Sequence, residues 1–153
     1  MPTHAEIRRM PYSAVEMYAL IADMAAYPEF LPWCSGARIR SRKPQPDGSE
    51  IVESEMVISF KVFRERFGSR VTLRPAKNEI DVAYLDGPFR YLNNHWRFKP
   101  VGDAVCEVDF FVDFEFRSKV LQAIIGVVFH EAMRRIVRAF EERAEQLYGK
   151  RSL

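Results

Sequence analysis

Three histidines, two cysteines and 21 acidic side chains are the groups in this 153-residue chain able to do chemistry, and none falls in a catalytic pattern. His4, His95 and His130 occur singly, without HxH or HExxH spacing or a cysteine partner, so no metal site is expected. Cys34 and Cys106 form no CxxC pair and read as two reduced, separately buried thiols in a reducing compartment. No GxSxG elbow, Gly-rich phosphate loop or Cys/His nucleophile arrangement is present. Glu53, Glu55, Asp109 and Asp113 resemble paired carboxylates. Their parity along the chain places them on an outer, wetted face, where they serve solubility and cross-strand pairing. Glu65 differs, because it falls between Phe63 and Phe67 on the inward parity and sets a carboxylate beside apolar rings. No catalytic residue and no cofactor is expected.

The elements that would position these groups follow from hydrophobic period. Thr3 to Met10 reads as an edge or first strand with Ala5 and Ile7 on one side, broken by Pro11. Ser13-Ala14-Val15-Glu16 has the spacing of a capping box and predicts a helix to about Met24 whose stripe is Val15, Tyr18, Ala19 and Ala22. A second short helical turn is expected from Met24 to Phe30, begun by Pro28 and ended by Pro32.

From Trp33 to Phe116 the period becomes two. Val52, Met56, Ile58 and Phe60 share a parity interrupted by Ser54, and Ile80, Val82 and Tyr84 alternate with Asp81 and Ala83. The clearest strand is Ala104 to Phe116, with Cys106, Val108, Phe110, Val112, Phe114 and Phe116 facing one way. Turn signals at Pro46-Asp47-Gly48, Pro75 to Asn78, Asp86-Gly87-Pro88 and Pro100 to Asp103 imply an antiparallel meander. The apolar parity switches between Phe60 and Phe63, which predicts a bulge or sharp bend. Ser118 to Tyr148 then reads as one helix stopped by Gly149, with a stripe of Leu121, Ile124, Ile125, Val128, Ala132, Ile136, Phe140, Ala144 and Leu147. At ~1.5 Å per residue it is about 45 Å long, enough to span a sheet.

The length suits one domain, residues 1–153, and no repeat or linker divides it. The predicted class is α+β: a curved antiparallel sheet of six to seven strands around a long C-terminal helix, with two short helices after the first strand. Inward rings at Phe60, Phe67, Phe89, Trp96, Phe110 and Phe114 either fill a core or leave a tunnel between sheet and helix. Gly126, mid-helix, fits close packing, a ligand passage or a kink.

A net charge of +2 gives no reason to expect DNA binding, although a local basic patch would allow contact with anionic lipid or a ribosomal subunit. Lys61, Arg64, Arg66 and Arg70 form one cluster; Arg134, Arg135, Arg138 and Arg143 form another. No apolar h-region opens the chain, and the longest apolar run, Val120 to Phe129, is about half a membrane span. A cytoplasmic protein, at most peripheral to the inner membrane, is expected.

Three segments carry a resemblance. Tyr27-Pro28-Glu29-Phe30-Leu31-Pro32-Trp33-Cys34, Asp86-Gly87-Pro88-Phe89-Arg90-Tyr91-Leu92-Asn93-Asn94-His95-Trp96-Arg97-Phe98, and Phe114-Glu115-Phe116-Arg117-Ser118 leading into Leu121 to Phe129 resemble the coenzyme Q-binding START-domain family. They occur in the family's order and cover nearly the whole chain. The resemblance implies a helix-grip, START-like fold and binding of ubiquinone or a related polyprenyl lipid, in support of respiration or quinone biosynthesis. It equally implies an alternative, because a bacterial branch is described as a ribosome-association toxin; some START-like relatives are polyketide cyclases, which leaves an enzyme as a third reading.

A polyprenyl tail offers many CH₂-sized units at ~0.8 kcal/mol each, so an aromatic tunnel needs few polar contacts. The walls expected for such a ligand are Phe30, Leu31, Trp33, Met56, Ile58, Phe60, Phe67, Phe89, Leu92, Trp96, Phe110, Phe114, Leu121, Ile124, Ile125 and Val128. Tyr91, Asn93, Asn94, His95 and Arg97 are candidate donors to quinone carbonyls, and Tyr27 to Cys34 is expected at the tunnel mouth.

Overall fold

A computed structural model describes residues 3–60 and 63–153. Strand β1 (Thr3–Met10) is followed by helix α1 (Ala14–Ala22) and a 3₁₀ turn (Met24–Glu29). Six strands follow: β2 (Cys34–Pro44), β3 (Glu50–Phe60), β4 (Phe63–Arg74), β5 (Glu79–Asp86), β6 (Phe89–Gly102) and β7 (Val105–Phe116). Helix α2 (Lys119–Tyr148) closes the fold. The seven strands form one antiparallel sheet in the order β1-β7-β6-β5-β4-β3-β2, which is the expected α+β helix-grip arrangement.

The capping box forms as read: the Glu16 amide donates to Ser13 Oγ at 3.0 Å, and Ser13 N–H donates to the Glu16 carboxylate at 2.9 Å. The buried face of α1 is Ala14, Met17, Leu20 and Ile21, whereas Val15 is 70% exposed. Pro28 lies late in the 3₁₀ turn rather than at its start.

The alternation of β7 is real, with Cys106, Val108, Phe110, Val112 and Phe114 all buried. The parity switch after Phe60 is the β3–β4 hairpin, where Phe60 pairs with Phe63, and not a bulge; the connecting residues 61 and 62, including Lys61 of the basic cluster, lie outside the described residues. Ser54 interrupts the apolar parity of β3 because it faces Ser69 across the β4 ladder, and the two buried hydroxyls bond each other at 3.1 Å. On β1 the inward residues are His4, Glu6, Arg8 and Met10. Ala5 and Ile7 point to solvent, so the apolar side of that strand is its outer one.

Ser118 Oγ accepts from the Leu121 amide at 3.2 Å to start α2, and Gly149 ends it. The stripe of α2 is rotated from the expected one: Phe129 and Met133 are buried with Leu121, Ala132, Phe140 and Ala144, while Leu147 is 50% exposed. Tyr148 packs in its place, its hydroxyl donating to the Glu16 carbonyl at 2.8 Å. Gly126 meets nothing within 4 Å of where a Cβ would stand, so it serves neither close packing nor an internal passage.

Candidate functional site

Helix α2 crosses the concave face of the sheet without filling it. Between them lies a cavity of ≈ 280 Å³, just under the ~300–1,000 Å³ usual for small-molecule pockets. Its sheet wall comprises Met56, Ile58, Phe67, Val71, Ile80, Val82, Leu92, Trp96, Phe110, Val112, Phe114 and Phe116. Ile125, Ala132, Met133, Ile136 and Phe140 of α2 form the roof, and Ile21, Met24, Tyr27, Leu31 and Trp33 close one side.

Phe89 anchors this wall. Its ring stacks on Phe116 at 4.7 Å and meets Phe67, Tyr84 and Phe114 edge-on at 5.3 to 5.7 Å. The turn feeding it requires Gly87, which has φ +136°; a Cβ there would stand 2.6 Å from that of Phe67. The Asp86-Gly87-Pro88-Phe89 segment thus seats one ring in the wall of the cavity.

Polar groups in the lining are few, and those present are engaged. Ser69 is paired with Ser54. Asn94 donates to the Phe111 carbonyl at 2.9 Å and accepts from Trp96 Nε1 at 3.1 Å. Both ends of the Asn94 amide are thus in hydrogen bonds to the protein. Tyr27 is buried and donates to the Ile21 carbonyl; burial holds its phenol far above the ordinary tyrosine range.

The expected ligand walls divide three ways. Leu31, Trp33, Met56, Ile58, Phe67, Phe89, Leu92, Trp96, Phe110, Phe114 and Ile125 line the cavity. Phe60, Leu121, Ile124 and Val128 do not; they line a smaller adjoining pocket of ≈ 80 Å³ with Phe63, Glu65 and Phe116. Trp33, Ile58, Phe116, Ile125 and Ala132 belong to both spaces, so the two adjoin through one wall. Phe30 lines neither: its ring packs edge-on against Tyr27 and Phe140, beneath the Arg143 guanidinium at 5.0 Å. The Tyr27–Cys34 segment is therefore part plug, through Tyr27 and Phe30, and part cavity side, through Leu31 and Trp33. Trp33 turns the chain with φ +64°, an uncommon conformation for a bulky residue.

Of the candidate head-group donors, only Asn94 reaches the cavity. Tyr91, Asn93, His95 and Arg97 stand on the outer face of β6, where His95 stacks on Phe111 and bonds Asp81 at 3.1 Å. Sequence reasoning left out of the wall, among others, Ile21, Met24, Val71 and Met133, and also Ile80, Val82, Val112, Phe116, Ala132, Ile136 and Phe140, which lay on the stripes already drawn.

The outer face also holds a correction. Glu55 is 8% exposed rather than wetted, because Arg38, Arg40 and Arg66 converge on its carboxylate at 3.1, 3.0 and 2.9 Å. Hydrogen bonding from Arg40, and then from Arg38, holds its pKa below the usual carboxylate range. Among the described residues no three His, Cys, Asp or Glu side chains converge to hold a metal ion, and no helix is long and apolar enough to cross a membrane.

Comparison with known proteins agrees with this geometry. The ribosome association toxin RatA of Escherichia coli K12 is 36% identical over 151 residues, covering 99% of this chain and 92% of that protein. Coenzyme Q-binding protein COQ10 homolog B, mitochondrial, of Xenopus laevis is 29% identical, covering 98% of this chain and 61% of that protein. The solution structure of an 18 kDa protein from Caulobacter crescentus superposes with a TM-score of 0.79 at 36% identity, covering 98% of this chain and all of that one. The family model described as polyketide cyclase/dehydrase and lipid transport matches residues 10–141, and the chain belongs to that family.

Proposed function

We propose that this protein binds a quinone-type polyprenyl lipid, or a ligand of the same apolar class, in the cavity between sheet and α2, and holds it without chemical change. The observation that carries the reading is the cavity itself: ≈ 280 Å³ walled almost wholly by aromatic and aliphatic side chains, with Ser69 and Asn94 its polar lining residues. Such a space discriminates by burial of CH₂ groups and contains no paired acid and base to move protons. The name of the Xenopus relative, a coenzyme Q-binding protein, supports the quinone class.

The chain supplies its own reporter. It has two tryptophans, Trp33 and Trp96, and both line the cavity. Titration with a short-chain ubiquinone should quench their emission saturably at one ligand per chain. Emission that falls only linearly, as for free tryptophan, would refute the reading.

A second reading, ribosome association, has its own observation. The outer face of β2 and β4 exposes Arg38, Arg40, Arg64, Arg66 and Arg70, against Glu53, Glu55 and Asp86. Phosphate contacts by this face would weaken steeply with salt. Cosedimentation with ribosomal subunits at low and high salt tests it, and Arg64→Glu with Arg70→Glu should abolish a genuine association.

A further inference from the structure

We propose that the outer flank of the first half of α2 docks onto an anionic lipid bilayer. This rests on the reading of the cavity as a lipid site, and adds where the lipid enters.

Val120 and Val127 of α2 are 63% and 86% exposed, and Ala123 and Gly126 between them are open to solvent. Residues at i, i+3 and i+7 share one helix face, so Val120, Ala123 and Val127 form a continuous apolar strip. That strip adjoins Leu121, Ile124 and Val128, which line the outer pocket next to the cavity. Apolar surface therefore runs unbroken from solvent, through the outer pocket, to the wall shared with the ligand space. Leaving large aliphatic side chains in water along such a path is the mark of an interaction surface.

Charge selects the partner. Arg117 and Lys119 flank Val120 at the start of the strip, and both are exposed cations that form no ion pair among the described residues. Glu131 on the same flank is already taken by Arg134 and Arg135, at 2.6 and 3.2 Å. An apolar strip rimmed by cations is the pattern of a helix lying in the interface of an anionic membrane. A symmetric second copy would oppose these same cations to one another, which disfavours a dimer as occupant. Docked this way, the outer pocket faces the acyl region, and the wall it shares with the cavity is what a polyprenyl ligand would have to part to pass from bilayer to cavity without entering water.

Sedimentation with sucrose-loaded vesicles tests the surface. Wild-type protein should bind vesicles of phosphatidylcholine with about one-third phosphatidylglycerol, and bind pure phosphatidylcholine far less. Lys119→Glu removes one cation and adds an anion, so binding should fall by at least the order of fivefold expected per basic residue. Val127→Glu should abolish it, and both positions are exposed enough to leave folding intact. Equal binding to the two vesicle types, or anionic binding untouched by Val127→Glu, would overturn the docking surface. So would a chain that sediments as a dimer dissociated by Val127→Glu while ignoring vesicles. Quinone quenching of the tryptophans from detergent solution is read in parallel. Vesicle binding without quenching defeats the cavity reading alone, and quenching without vesicle binding defeats the docking alone.

Discussion

Ala132→Leu is the most informative single change. Ala132 is buried on the inner face of α2 and borders both the cavity and the outer pocket. The ≈ 280 Å³ space beside it leaves apolar wall surface uncovered that a ligand, or a side chain grown into it, can bury. Three added carbons at ~0.8 kcal/mol each predict about 2 kcal/mol of stabilisation. For a chain of this size that is a rise of roughly 4–8 °C in Tm of the ligand-free protein. The same change removes ligand space, so quinone quenching should weaken. Ala144 provides the control: it is fully buried and lines neither the cavity nor the outer pocket, and Ala144→Leu should lose about 1–3 kcal/mol by overpacking. Circular dichroism melts of both variants, with and without quinone, give the comparison. A lower Tm for Ala132→Leu would mean the space is already closed in solution. A higher Tm with undiminished quenching would mean the ligand binds elsewhere.

Two further outcomes follow from titratable groups. Glu55 has a depressed folded pKa, so its contribution is fully present above the unfolded glutamate value of ~4.3 and is lost as pH falls through the lower folded value; Glu55→Gln should flatten the acid limb of Tm against pH. Cys106 is buried and its thiol is pushed up to about 11 by desolvation, so it should resist iodoacetamide at pH 8 until the chain unfolds, and its contribution to stability should fade only as pH rises above ~8.5 towards about 11.

How much of this could be read in advance depended on the pattern involved. β7 was legible in full because a period of two over its length admits one reading, and α2 in extent because its apolar period runs for 30 residues, although its buried face is rotated from the stripe expected. α1 was legible in existence and start but not in orientation. Ala14, Val15, Met17, Ala19, Leu20 and Ile21 make it apolar nearly all round, so spacing alone cannot choose its buried face. Glu55 was misplaced for a different reason. Alternation assigns a residue to a face, but whether arginines from β2 and β4 cover it depends on pairing that one strand's pattern does not contain. The candidate site fared likewise. Most of the rings facing inward were identifiable, but the division between the cavity and the outer pocket depends on where α2 sits above the sheet. The loss of Phe30 depends on the plug it forms with Phe140.

The central claim is that the cavity holds a polyprenyl lipid. Protein purified without detergent, washed, extracted with organic solvent and examined by mass spectrometry tests it most directly. The account predicts a quinone or close polyprenyl relative approaching one per chain in the wild type and markedly less in Ala132→Leu. Extracts free of polyprenyl lipid, from protein that also takes up none from quinone-loaded vesicles, would contradict it.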